Sequence, residues 1–129
     1  MRFHHLGFIV KSIEQYEKGL LFEAKIMETF DPVQKAKLSL YSNFDTSFIE
    51  LIEPLEPSSF TWNSLQTKGN HFHHLGYEVN NMNEILLLQQ RYNWINILKP
   101  VPAVLFNNRL ITFYLTRNRQ IIELIISQE

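Results

Sequence analysis

At 129 residues the chain is sized for one domain, whose folding hides about two thirds of the surface that the extended chain exposes. Twelve basic and 13 acidic residues leave a net charge of −1, which excludes a field strong enough to draw the protein onto nucleic acid or an anionic membrane. The lack of cysteine excludes disulfides, thiolate zinc sites and a cysteine nucleophile, and it suits a reducing compartment.

The first apolar stretch begins at Phe3, too early for a signal peptide, and no apolar run has membrane-spanning length, so a soluble cytoplasmic protein is expected. Residues 3–10 alternate as a strand, with Phe3, His5, Gly7 and Ile9 on one face and His4, Leu6, Phe8 and Val10 on the other. Ser12 then opens a helix as its N-cap, with Gln15 at the capping-box position and Ile13, Tyr16 and Leu20 on one buried stripe. Strands follow over 21–30, stopped by Asp31-Pro32, and over 35–42 and 46–53, divided by the turn residues Ser42, Asn43 and Asp45. Pro54 and Pro57 end this half. Segment 58–69 reads as a linker with a short helix, capped by Ser58 or Ser59 and stopped at Gly69.

The same order then recurs. A strand over 71–79 precedes a helix capped by Asn81, and strands come near 94–99, 109–116 and 119–126. Pro100 and Pro102 fix the connection after 94–99, while Asn107-Asn108 and Arg117-Asn118 make the turns. The expectation is one α+β domain of two βαβββ modules, 1–53 and 71–129, joined by a linker over 54–70.

Repetition of residues supports repetition of structure. Phe3-His4-His5-Leu6-Gly7 returns 69 positions later as Phe72-His73-His74-Leu75-Gly76. Phe48-Ile49-Glu50-Leu51-Ile52 has a counterpart in Ile121-Ile122-Glu123-Leu124-Ile125. Cap, capping-box acceptor and core positions also match, as Ser12 with Asn81, Gln15 with Glu84, Ile13 with Met82 and Tyr16 with Ile85, which marks a duplication. Each half alone is near the lower limit for a stable core, so the halves pack together within one chain or across a homodimer.

A lone strand histidine is more often a hydrogen-bonded structural residue than a ligand. Period two turns His4 and His73 away from the face of His5 and His74, and His71 reads as solvated at the start of its strand. Glu50 and Glu123 are different, because each has apolar neighbours on both faces. A buried carboxylate costs several kcal/mol unless something compensates it. An ion pair with Arg2, Lys37, Arg109 or Arg119 would do so. Two glutamates at equivalent positions, each matched to an equivalent histidine, favour a metal instead, with His5, Glu50, His74 and Glu123 as its four ligands. Two imidazoles and two carboxylates suit zinc, nickel, cobalt, manganese or iron, and a calcium site would not use two histidines. Four protein ligands leave an octahedral ion two positions for water or substrate.

Along its whole length the chain resembles the vicinal oxygen chelate superfamily of glyoxalases, extradiol dioxygenases, methylmalonyl-CoA epimerases and bleomycin-resistance proteins, from His5-Leu6-Gly7-Phe8-Ile9-Val10 to Ile122-Glu123-Leu124-Ile125. The resemblance implies paired βαβββ modules in a cup-shaped mixed sheet with helices outside, and it places the family's ligand positions on His5, Glu50, His74 and Glu123. Ile49-Glu50-Leu51-Ile52-Glu53-Pro54, Lys68-Gly69 and His73-His74-Leu75-Gly76-Tyr77-Glu78-Val79 are most similar to the epimerases. There are departures. Residues 115–120 lack the "HPK" plus glycine turn of many epimerases and the "DPDG" of many lactoylglutathione lyases, and residues 34–38 lack the second acid that some epimerases carry.

What the resemblance implies is a metal-dependent isomerase that removes a proton next to a carbonyl of a small acyl-CoA or thioester-like substrate. Glu123 would be the general base, with Lys37 or a water returning the proton. A lactoylglutathione lyase-like glyoxalase is the alternative within the same chemistry. A non-catalytic small-molecule binder of the bleomycin-resistance type is the alternative outside it. An extradiol dioxygenase, with two histidines and one carboxylate, fits less well.

Overall fold

The structure is a computed structural model that describes residues 1–127. Its elements in chain order are β1 (Arg2–Ile9), α1 (Ile13–Glu17), β2 (Ala24–Asp31), β3 (Ala36–Ser42), β4 (Phe48–Pro54), α2 (Trp62–Lys68), β5 (His71–Val79), α3 (Met82–Tyr92), β6 (Ile95–Ala103), a 3-10 turn at Val104–Phe106, β7 (Arg109–Leu115) and β8 (Ile121–Ile126). The strands make one curled mixed sheet in the order β2-β3-β4-β1-β5-β8-β7-β6. β1 and β5 run antiparallel at its centre, β4 lies parallel to β1, and β8 lies parallel to β5. The βαβββ order expected of each half is therefore present twice, related by a pseudo-two-fold axis between β1 and β5.

Period-two alternation sorts the apolar side chains between the two faces. Ile9, Leu38, Leu40, Ile52, Ile111, Phe113 and Ile125 fill the concave face together with Leu105 and Phe106. On the convex face Ile13 of α1 packs on Val10, Tyr41 and Leu51, and Ile85 of α3 packs on Val79, Tyr114, Ile122 and Leu124. Ser12 and Asn81 cap these two helices by accepting from the backbone N–H of Gln15 and Glu84, as their sequence predicts. The cup is closed across its mouth by Val104–Phe106, which reaches from the second half to β2 and β3 of the first.

Three expectations need correction. The N-cap position of α2 is Thr61, whose side chain makes no capping bond, and not Ser58 or Ser59; the Ser59 hydroxyl instead donates to the Gln34 carbonyl. β6 does not end before Pro100. It runs through both prolines to Ala103, which is possible because it is an edge strand whose outer side faces no other strand among the described residues, and its pairing with β7 slips between Leu98 and Val101. Finally, β1 and β5 do not alternate strictly. Their pairing jumps from Phe3↔Tyr77 to His5↔Gly76, and from Gly7↔His74 to Phe8↔Phe72. His4 and His73 are thus the extra residues of two β-bulges at equivalent positions.

Candidate metal centre

The four residues singled out by repetition meet at one point. β1 supplies His5, β4 Glu50, β5 His74 and β8 Glu123, and all four are buried. The register explains how. His5 lies opposite Gly76 and His74 opposite Gly7, while Glu50 flanks Gly7 and Glu123 flanks Gly76. A Cβ on Gly7 would come within 2.1 Å of the His74 ring, and one on Gly76 within 2.1 Å of the His5 ring. Each glycine therefore clears the space into which the imidazole of the other half folds. The His-Leu-Gly triplet is an interlocking pair of parts, and the repeated pentapeptide carried that signal although the glycines were not singled out.

At the centre the two Nε2 atoms are 2.9 Å apart. Glu123 Oε1 is 3.0 Å from His5 Nε2 and 2.9 Å from His74 Nε2. Glu50 Oε1 is 3.3 and 3.2 Å from the same two nitrogens, yet it is buried without a hydrogen-bond partner among the described residues. Ligands held about 2.1 Å from one ion are about 3.0 Å apart at a right angle and about 3.4 Å apart at the tetrahedral angle. The observed edges are of that size. One carboxylate oxygen is left unpaired and two nitrogens are turned face to face, an arrangement that protein groups alone do not satisfy and a divalent cation would. The residues fit a metal ion.

The competing explanation of the buried acids is not what the structure holds. Arg2 and Arg109 both pair with Glu78, the latter at 2.6 Å, and Lys37 faces Glu28 at 3.8 Å. Lys37 also alternates with Leu38, whose side chain enters the concave core, and it pairs with Glu53, whose carboxylate caps the backbone N–H of Ile13 in α1. It thus sits on the helix-covered face and is not placed to return a proton. His71 is not simply solvated: its Nδ1 lies 2.7 Å from the Gly69 carbonyl and its Nε2 2.8 Å from the Ser64 hydroxyl.

Charge at the centre follows from burial set against pairing. Burial pushes the imidazole of His5 down, but the carboxylates of Glu123 and Glu50 outweigh it and hold its pKa up at about 9. His74 is raised by the same contest. For Glu50, burial and the like charge of Glu123 push the pKa up, and the two imidazoles win and lower it; Glu123 is lowered in the same way. His4 and His73 lie beside the centre, contrary to the period-two expectation, because the bulges rotate them toward His5 and His74. Their Nδ1 atoms approach the Nδ1 atoms of those residues to 2.8 and 2.9 Å. Burial, reinforced by the neighbouring imidazole, lowers His4 to about 4 and His73 to about 3, so both are neutral at physiological pH.

Phe106 covers this assembly. Its ring centroid is 5.3 Å from those of both His4 and His5. The sequence placed no element here, since Val104–Phe106 is too short for a periodic signal.

Comparison with known proteins agrees with the fold. A model of the glyoxalase/bleomycin resistance protein/dioxygenase superfamily matches residues 4–113. A hypothetical protein of Bacillus halodurans superposes with a TM-score of 0.83 at 23% identity, over 99% of this chain and 95% of that one. Methylmalonyl-CoA epimerase from Mycobacterium tuberculosis superposes with a TM-score of 0.82 at 19% identity, over 99% and 89%. A variant of the Streptomyces coelicolor epimerase in complex with 2-nitronate-propionyl-CoA does so at 0.79 and 17%, over 100% and 99%. No curated protein matches the sequence.

Proposed function

Because the chain belongs to the glyoxalase/bleomycin resistance protein/dioxygenase superfamily, we propose that it is a divalent-metal-dependent isomerase that removes a proton next to a carbonyl, with a small acyl-CoA or related thioester as substrate. The observation that carries this is the convergence of His5, Glu50, His74 and Glu123 on one buried centre with an unpaired carboxylate oxygen. These four side chains would hold the ion, which supplies a Lewis acid to stabilise negative charge growing on the substrate's carbonyl oxygen.

The chain's own residues do the rest. Glu123, poised between the two imidazoles, accepts the substrate proton as general base. The apolar concave face, with Phe113 and Phe106 against the ligand histidines, keeps bulk water from the centre and strengthens every charge interaction within it. With the four ligands buried, substrate enters by displacement of the Val104–Phe106 turn, which bridges the mouth of the cup. The acyl-CoA class draws on the epimerase neighbours, one of which is the complex with 2-nitronate-propionyl-CoA.

Metal analysis of the purified protein, followed by proton exchange of methylmalonyl-CoA in deuterated water, tests the reading. We expect one first-row divalent ion per chain, exchange at the carbon next to the thioester, and loss of exchange with chelator that returns with added ion. A protein that takes up no ion sinks the metal reading. A metal-loaded protein that exchanges the hemithioacetal of methylglyoxal and glutathione, and not the acyl-CoA, moves the assignment to a glyoxalase.

A further inference from the structure

Neighbouring side chains of a strand normally point to opposite faces. His4 and His5 do not, and neither do His73 and His74. In both halves a single-residue bulge turns the first histidine of the pair onto the side of the second, and the two Nδ1 atoms come to 2.8 and 2.9 Å. At that distance one nitrogen of each pair carries the hydrogen and the other accepts it. The two arrangements have different consequences at the far side of the ring. Were the first histidine the donor, a neutral His5 or His74 would carry its own hydrogen on Nε2. Two such Nε2–H groups would then face one another across 2.9 Å. Were the first histidine the acceptor, both Nε2 atoms would present lone pairs to the shared centre.

We infer that His4 and His73 are positioning residues: each accepts a hydrogen bond from the Nδ1–H of the histidine that follows it and so aims the Nε2 lone pair of His5 or His74 at the ion. This rests on the metal reading above. Ligand histidines are commonly oriented through their second nitrogen by a carboxylate or a carbonyl; here another imidazole does that work, twice, at duplicated bulges. The orienting rings are themselves fixed. His4 stacks on Phe48 with centroids 4.7 Å apart and meets the edge of Phe106, and His73 packs edge-on against Phe60 and Phe113. A neutral ring with its single hydrogen on Nε2 is the only form of His4 or His73 that can accept at Nδ1.

Two measurements on the full chain test this. Long-range proton–nitrogen correlation spectra of ¹⁵N-histidine-labelled protein, metal-free and zinc-loaded, read the tautomers directly. We expect His4 and His73 to carry their hydrogen on Nε2 in both states, and His5 and His74 on Nδ1 in the loaded state. Cobalt titration followed by visible absorption then reads affinity. His4→Phe and His73→Phe keep a flat ring and lose the acceptor, and each should bind roughly 10–100-fold more weakly. His4→Asn and His73→Asn, which return an acceptor near the Nδ1 position, should recover most of the loss, with metal-free melting temperatures confirming that all four fold. Phenylalanine variants that bind cobalt as tightly as wild type, or spectra showing Nδ1–H on His4 or His73, overturn the inference. A wild-type protein that takes up no cobalt instead removes the metal reading, and the tautomers alone then decide this one.

Discussion

The two halves of the molecule agree at the centre and differ around it. Each contributes a bulge histidine, a second histidine that faces the centre, a glycine and a glutamate, in matching places on matching strands. One step outward the match ends. Where the first half buries Ile9 and Ala36 in the concave core, the second has Glu78 and Arg109, joined at 2.6 Å. Where the first half turns from β2 to β3 through the exposed Val33, the second turns from β6 to β7 through Val104–Phe106, folded across the mouth. The difference has a steric origin. His5 needs Gly76 and His74 needs Gly7, so the histidine of each half depends on a glycine of the other. The rims meet no such reciprocal demand, and there the second half has taken on closure and an ion pair.

Breaking the central match should have the largest effect. Glu50 and Glu123 are equivalent in position, but Glu123 Oε1 is hydrogen-bonded to His5 and lies 2.9 Å from His74 Nε2, whereas Glu50 Oε1 stands 3.3 and 3.2 Å from the two nitrogens without a hydrogen bond. If Glu123 is the base, Glu123→Gln lowers turnover by about 10²–10⁴-fold while the ion is retained. Glu50→Gln, the same change at the other carboxylate, should likewise retain the ion and cost far less turnover at saturating metal. Metal content and proton exchange, measured on both variants, check this. Equal losses in the two would withdraw the base assignment from Glu123.

The rims come next. Phe106 is almost fully buried, and Phe106→Ala should lower stability by about 3–5 kcal/mol. It should also let a chelator strip the ion faster. Val33, half exposed in the corresponding turn of the first half, should change stability by no more than about 0.5 kcal/mol as Val33→Ala. Urea denaturation of the two variants gives the comparison. A Phe106 variant as stable as the Val33 one would mean that the turn does not close the cup.

Gly7→Ala and Gly76→Ala sharpen the interlock itself. An alanine methyl at either place lands on the ring of the opposite half, and the resulting overpacking costs about 1–3 kcal/mol. The two variants should lose similar stability and similar cobalt affinity, since each displaces one of two equivalent imidazoles. A loss confined to one of them would show that one ring can step aside.

These residues also mark how far the sequence can be read. His5, Glu50, His74 and Glu123 were legible because two signals coincide there: a repeat, and an acid set among apolar neighbours where an unpaired carboxylate is costly. The sheet was legible because alternation and helix caps recur in both halves. The facing of His4 and His73 was not, because one extra residue in a strand reverses the side on which everything before it points, and a bulge belongs to the pairing of two strands and leaves no mark on either. β6 was cut short for a related reason. A proline ends a central strand but not an edge strand, and which strands lie at the edge is decided by the whole sheet. The closing turn escaped because three apolar residues carry no period.

The smallest expected effect concerns the ion pair that has no counterpart in the first half. Burial pushes the Glu78 carboxyl up, but Arg109 and Arg2 outweigh it and hold its pKa below the ordinary 4.5. A carboxylate depressed in the folded state adds stability that is fully present above its unfolded pKa and is lost as pH falls through the folded one. At neutral pH, Glu78→Gln should therefore be less stable than wild type by about 1 kcal/mol, the scale of a charge-assisted bond replaced by a weaker neutral one. The gap should stay constant down to about pH 4.5 and close below it, as the wild-type carboxyl takes up its proton. Ile9→Val, at the equivalent place in the first half, should cost about 0.5–1.5 kcal/mol with no such closing of the gap. Denaturation midpoints for the three proteins between acid and neutral pH separate the cases. A Glu78→Gln deficit that persists undiminished in acid would mean that Arg109 is held by the shape of the site and not by the charge beside it.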